Sequence, residues 1–139
     1  MKCRPIDNND KQLAWMWFNY RLGKASGNHN GFFPYGLLPC TGLAAVDSRN
    51  DLLAVAFLYR EQSSSVAVCG WCIANPENEP LTSKLAVETV LHNMPAYAKS
   101  LGATHLLSTF GSRSINRILS KMGFSFGEKA DNMFLTLED

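Results

Sequence analysis

The sequence has little net charge and no long apolar segment. Lys and Arg number 13 against 12 Asp and Glu, which leaves a formal net charge of +1. No overall field therefore draws the chain to nucleic acid or to an anionic membrane. No apolar run approaches the roughly 20 residues that cross a bilayer, and residues 1–7 contain no apolar segment typical of a secretory signal. We expect a cytoplasmic protein, with no sign of membrane or nucleic-acid binding.

Cysteine is scarce, and its spacing is weak evidence for a metal site. The chain has four cysteines, of which Cys69 and Cys72 form a C-x-x-C pair. A zinc site needs a second pair, or histidines at ligand spacing, whereas a redox pair usually opens a helix. This pair lies in an apolar run typical of a strand. Because no export signal is visible, a disulfide framework is not expected. We expect buried free cysteines and no metal, with a metal or redox role as the minor alternative.

Composition and apolar patterning predict an α/β domain built on a mixed sheet. The 139 residues are 46% hydrophobic and 18% charged, which is typical of one globular domain, here 1–139. Apolar runs bounded by turn residues favour strands. The predicted strands are 2–6, 42–47, 52–59, 66–74, 104–109, 124–127 and 133–137.

Three segments have apolar residues at helical spacing. They cover 11–22, 79–101 and 112–122. For the first helix we expect Asn9 as the N-cap and Gly23 as the end. Pro95 lies inside the second helix and predicts a kink there.

The element order and two short motifs resemble one enzyme superfamily. Helix 112–122 runs into Gly123-Phe124, and strand 66–74 ends in Asn75-Pro76. Together with the strand order, these features resemble the GNAT superfamily of acyl-CoA N-acyltransferases, including short members encoded by tailed phages. The resemblance implies that strands 66–74 and 104–109 pair and then splay apart.

The same resemblance implies a binding site for acetyl-CoA as cosubstrate. Its pantetheine would pair with the backbone of the splayed strand, near Ile73, Ala74 and Asn75. Its pyrophosphate would lie at the start of the helix over 79–101, where backbone N–H groups and the helix dipole favour anions. The residues expected to donate there are Thr82, Ser83 and Lys84.

The resemblance also implies direct attack of an acceptor amine on the thioester. Ser112 either contacts pantetheine or protonates the thiolate through water, or it is simply a helix N-cap. His105 opens a strand and can titrate near neutral pH, which makes it a second catalytic candidate. The aromatic residues Tyr35, Tyr59 and Trp71 either line the acceptor side of the cleft or belong to the core.

The phosphate-binding loop departs from the family pattern. The family pattern has a glycine and, two residues later, a glycine or alanine, and segment 77–82 has neither. Pro80 also offers no N–H. Glu77 and Glu79 place negative charge where the family receives pyrophosphate, and Leu119 replaces a frequent tyrosine. The alternative function is therefore a catalytically inactive binding or interaction module with the same fold. A second copy of the chain is a further candidate partner, since strand edges can pair between subunits.

Overall fold

A computed structural model describes residues 1–26, 33–127, 135 and 137, with side chains excepted at 24–26. It contains one sheet of five strands, three α-helices and a short 3-10 turn over Tyr35–Leu37. In chain order the elements are β1 (Lys2–Pro5), α1 (Asn8–Ser26), β2 (Gly42–Val46), β3 (Leu52–Arg60), β4 (Val66–Ala74), α2 (Pro80–Ser100), β5 (His105–Ser108) and α3 (Arg113–Lys121). No helix of these residues is both long and apolar enough to cross a membrane.

The five strands lie in the sheet in sequence order. Strands β1 to β4 form an antiparallel meander, and β5 joins β4 in parallel. A parallel neighbour needs a crossover connection, and α2 provides it. The predicted α/β fold with a mixed sheet is thereby confirmed.

Each face of the sheet carries its own apolar core. Helix α1 covers an aromatic core that includes Phe18, Phe33 and Phe57. Helices α2 and α3 cover the other face, where small side chains such as Ala45, Ala54, Ala56, Ala67 and Ala86 predominate. Small residues let α2 pack closely against the strands.

Helix α1 begins at Asn8, three residues before the predicted start, and its cap is Asp7 rather than Asn9. The Asp10 N–H donates to Asp7 Oδ1 at 2.8 Å, and the Asp7 N–H donates back to Asp10 Oδ2 at 2.9 Å. This reciprocal pair is a capping box built from two aspartates. Gly23 does not end the helix, which continues to Ser26, because no left-handed residue interrupts it there.

The C-terminal elements agree with the sequence only in part. Helix α2 is continuous through Pro95, and Gly123 ends α3 with φ 104°. The following segment, 124–127, is not a strand as predicted. The Phe124 N–H instead donates to Leu119 O at 3.0 Å, which ties these residues to the helix end. The predicted strand 133–137 falls largely outside the described residues.

Candidate functional site

Strand β4 is paired with β5 over one half and open over the other. The parallel pairs end at Cys69 and Ser108, and a last bond joins the Thr109 N–H to Cys69 O at 3.2 Å. The register of β3 against β4 also shifts here, so that Gly70 has no opposite residue. Such a bulge bends the strand. The predicted splay between the two strands is present, and it begins at this bulge.

The splay leaves backbone groups of β4 without a strand partner. The Asn75 N–H donates to Leu53 O of the β3 side at 2.9 Å. In an antiparallel pair, backbone groups alternate between the two sides of a strand. The N–H of Ile73 therefore also faces β3, whereas the N–H and C=O groups of Cys72 and Ala74 face the open side. Of the three predicted backbone contacts, only Ala74 lies where a ligand could pair with it.

A cleft of about 790 Å³ lies beside this open half. It is bounded by the end of β4, by α2 and by α3, with one side chain from α1. The structure brings five predicted residues to it: Ile73, Ala74, Ser83, Lys84 and Ser112. Asn75 and Thr82 do not line it. The other lining residues are Arg21, Cys72, Val87, Glu88, His92, Ser114, Ile115, Arg117, Ile118 and Lys121.

The lining of the cleft is predominantly basic. Its charged side chains are four cations and one carboxylate, together with one histidine. Within the described ranges the single ion pair closer than 4 Å is Arg4–Asp10, so no acidic group of these ranges neutralises the four cations at contact distance. Clustered unpaired cations attract a polyanion. The cations are Arg21, Lys84, Arg117 and Lys121, the carboxylate is Glu88 and the histidine is His92.

Sequence analysis missed three of these residues, namely Arg21, His92 and Lys121. The signal for two of them was helical spacing. His92 lies two helical turns after Lys84 on one face of α2, and Lys121 lies one turn after Arg117 on α3. No signal pointed to Arg21, because α1 and the cleft meet only in the folded chain.

The N-terminus of α2 has backbone donors without a partner among the residues that the structure describes. Glu79 is the N-cap and makes no side-chain capping bond. The first intrahelical donor is the Ser83 N–H, which bonds Glu79 O at 3.0 Å. Pro80 has no N–H. The N–H groups of Leu81 and Thr82 are therefore the orphan donors of the first turn.

The loop before α2 is held by its asparagines. Asn75 Oδ1 accepts from the Glu77 N–H at 3.0 Å, and Asn78 Nδ2 donates to Leu53 O at 2.9 Å. These bonds to the sheet set where α2 begins.

Ser112 is both a helix cap and a cleft residue. Its Oγ accepts from the Ile115 N–H at 3.4 Å and lies 2.9 Å from Ser114 Oγ. The long capping bond is weak by geometric criteria. The hydroxyl therefore has capacity for a further partner in the cleft.

His105 lies at the other end of the sheet. It pairs with Val66 at the closed end of β4, and it borders a separate hollow of about 470 Å³ next to Pro95 and Lys99. Its Nδ1 is 3.0 Å from Thr104 Oγ1. The structure does not bring His105 to the cleft.

The three predicted acceptor-side aromatics pack on the α1 face. Trp71 Nε1 donates to Tyr59 Oη at 2.7 Å, and the Tyr59 hydroxyl donates to Leu37 O. Burial raises the pKa of Tyr59, so it remains a neutral donor. Tyr35 meets Trp15 edge to face with ring centroids 5.6 Å apart. None of the three lines the described cleft.

The C-x-x-C pair is unsuited to redox or metal chemistry. Cys69 and Cys72 are free thiols on β4. Burial raises the pKa of the Cys69 thiol and raises that of Cys72 to about 12, so both remain protonated near neutral pH. The residues that the structure describes contain no cluster of three or more His, Cys, Asp or Glu side chains able to hold a metal.

Comparison with solved structures decides the fold. A probable acetyltransferase superposes with a TM-score of 0.68 at 15% identity, covering 100% of this chain and 99% of that one. A GNAT superfamily phosphinothricin acetyltransferase from Sinorhizobium meliloti, in complex with AcCoA, gives 0.69 at 12% identity over 91% of this chain and 76% of that one. The chain has the GNAT fold.

A third GNAT structure supports the same fold. The GCN5-related N-acetyltransferase from Kribbella flavida has a TM-score of 0.64 at 13% identity, over 88% of this chain and 80% of that one. No protein-family model and no curated protein sequence matches the chain. At these identities the likeness concerns the fold, and function must be argued from the site.

Proposed function

We propose that the chain is a cytoplasmic, acetyl-CoA-dependent N-acetyltransferase that transfers the acetyl group to an amine by direct attack. The observation that carries the proposal is the open half of β4 beside a basic cleft. The GNAT fold supports it, as does the neighbour that contains AcCoA. Four unpaired cysteines fit a reducing compartment. The likeness to short phage-encoded members and the homodimer remain predictions.

The pantetheine arm has an obvious backbone partner in this proposal. Its amides resemble peptide groups, so they can add to an exposed strand edge. The free groups of Cys72 and Ala74 supply that edge. The Ala74 N–H would then also polarise the thioester carbonyl.

The phosphate groups of CoA would lie between the two helices that border the cleft. The orphan N–H groups of Leu81 and Thr82 lie at the positive end of α2, with Ser83 and Lys84 in the same turn. Across the cleft, Arg117 and Lys121 add two charges from α3. These cations offset Glu77 and Glu79, each of which costs on the order of 1 kcal/mol when close to a phosphate.

The chemical step needs few protein groups. The acceptor nitrogen forms a bond to the acyl carbon, the C–S bond breaks, and the nitrogen loses a proton while the CoA sulfur gains one. Much of the rate would come from holding the amine and thioester together. Three serines line the cleft, and of these we assign to Ser112 the donation of a proton through water to the leaving sulfur.

A second candidate function has one observation in its favour. The N-terminal turn of α2 combines Pro80 with two glutamates, which weakens phosphate binding. A GNAT-fold binding module without catalysis would tolerate this turn.

Titration with acetyl-CoA and with desulfo-CoA tests the proposal directly. We expect binding of both with a Kd in the micromolar range, equivalent to about −8 kcal/mol. Ligand at a hundredfold excess over Kd would add about 2.7 kcal/mol to the free energy of unfolding. The double substitution Arg117→Gln/Lys121→Gln should raise Kd at least tenfold.

Lys99→Gln is the matched control, since Lys99 is a cation of α2 that borders the other hollow. It should leave Kd unchanged. Failure of wild-type protein to bind either compound at millimolar concentration would contradict the proposal. Binding without CoA release from acetyl-CoA across amines, peptides and polyamines would favour the binding module.

A further inference from the structure

Arg21 differs from the other cations of the cleft in the helix that carries it. Lys84, Arg117 and Lys121 belong to α2 and α3, on one face of the sheet, whereas Arg21 projects from α1 on the opposite face. It lines the same cleft because β4 is open there. Arg21 thereby shares the cleft with Cys72 and Ala74 of β4, and its positive charge opposes the effect of burial on the pKa of Cys72.

Residues from the cores on the two faces of the sheet meet at the open half of β4. Ile73 belongs to the core under α1, whereas Cys72 and Ala74 belong to the core under α2. All three border the cleft, together with Arg21 of α1, so residues from both faces of the sheet contribute to its lining. A cosubstrate held by the α2 and α3 cations occupies one side, and the acceptor then approaches from the side of α1.

The chemistry of Arg21 selects among acceptors. The side chain is exposed, and within the described part of the chain no carboxylate lies within 4 Å of it. A guanidinium binds a carboxylate through two parallel hydrogen bonds. It repels a second ammonium group, such as the far end of a diamine.

We propose that the acceptor is an amine that carries a carboxylate, as a free amino acid does, and that Arg21 binds this carboxylate. The inference rests on the proposed function. The carboxylate takes no part in the bond changes, in which the N–C bond forms and the C–S bond breaks. Its contact with Arg21 would hold the amine against the thioester at Ala74.

Acceptor pairs that differ only in charge test this inference. CoA release from acetyl-CoA is measured with each of the standard L-amino acids, with its carboxamide, and with putrescine. For the best acid we expect kcat/KM at least tenfold above that of its amide, and little turnover of putrescine. Equal or faster turnover of the amide or of putrescine would overturn the inference while leaving acetyl transfer intact.

Variants separate Arg21 from the cosubstrate site. Arg21→Gln should lower kcat/KM for the acid at least tenfold, and this loss should exceed any change in kcat/KM for the amide or in the Kd of acetyl-CoA. Arg21→Lys should recover part of the loss. The matched control is Arg49→Gln, which removes an exposed arginine from the β2–β3 turn and should change neither value. A loss shared equally by acid and amide contradicts the inference.

A binding measurement makes the test independent of turnover. The N-acetyl derivative of each amino acid and its carboxamide are titrated into protein with and without CoA, and followed by NMR line shifts. We expect at least tenfold tighter binding of the acid, lost in Arg21→Gln. Absence of this preference for every pair overturns the inference, whereas absence of acetyl-CoA binding alone counts against the proposed function.

Discussion

Helices α1 and α2 begin in opposite ways. The first turn of α1 is closed by the protein itself, since Asp7 and Asp10 cap each other and Arg4 binds the Asp10 carboxylate at 2.5 Å. The first turn of α2 has no side-chain cap, and Ser83 and Lys84, next along the helix, line the cleft. Capping the N–H groups of a first helical turn with the chain's own side chains adds stability. N–H groups that stay uncapped are available to an anion. The contrast separates a helix start that the chain itself caps from one that we propose binds an anion.

The largest expected effect is a loss of stability when the side-chain cap of α1 is removed. Asp10 is buried, and Asp10→Ala removes its bonds to Arg4 and to the Asp7 N–H. We expect the free energy of unfolding to fall by about 2–3 kcal/mol, because a buried charge pair and a cap are lost together. Chemical denaturation measures it. Glu79→Ala, at the N-cap of α2, is the control and should cost under about 0.5 kcal/mol. Equal losses of unfolding free energy in the two variants would show that the two helix starts do not differ in their contribution to stability.

The second largest effect is on the affinity for acetyl-CoA and concerns the N-terminus of α2. Glu77→Gln and Glu79→Gln each remove a negative charge near the expected phosphate position. We expect each to tighten acetyl-CoA binding about fivefold, equivalent to about 1 kcal/mol, and the gain should shrink in high salt. Glu61→Gln, in the β3–β4 turn, should leave Kd unchanged. If neither loop variant binds acetyl-CoA more tightly, the phosphates do not bind at the start of α2.

Ser112 at the start of α3 provides an intermediate case. Ser112→Ala should cost about 0.5–1 kcal/mol of stability, because the capping bond is long. Ser112→Asp keeps a strong capping residue but adds negative charge to the cleft. We expect stability to be retained and acetyl-CoA affinity to fall severalfold. Parallel measurements of unfolding and of Kd separate the two roles, and unchanged affinity in Ser112→Asp would restrict Ser112 to capping.

The smallest effect is a slope in the pH dependence of stability. The bond from the Asp10 N–H lowers the pKa of Asp7 in the folded state. Ionised Asp7 therefore stabilises the fold above its unfolded pKa, near about 4. That contribution is lost as the pH falls through the folded pKa. Unfolding free energy measured between about pH 2 and 6 should fall less steeply with acid in Asp7→Asn. An unchanged slope would assign the acid sensitivity to other carboxylates.

Much of the fold could be predicted from local pattern. Apolar runs bounded by turns located the five described strands, and helical spacing located the three helices, with Gly123 as a correct end point. Helix starts were less predictable, because Asp7 and Asn9 are both good capping residues in isolation. The choice of Asp7 depends on Asp10 and on Arg4 of β1, which only the folded chain brings together.

By itself, the sequence determined the order of the elements, the apolar runs that form the strands and the glycine-free acidic turn before α2. Each of these depends on residues close together in the chain. Tertiary structure alone decided that β4 opens after Cys69, that Arg21 reaches the same cleft as α2 and α3, and that His105 does not. These facts depend on strand register and on helix packing across the sheet, where residues far apart in sequence become neighbours.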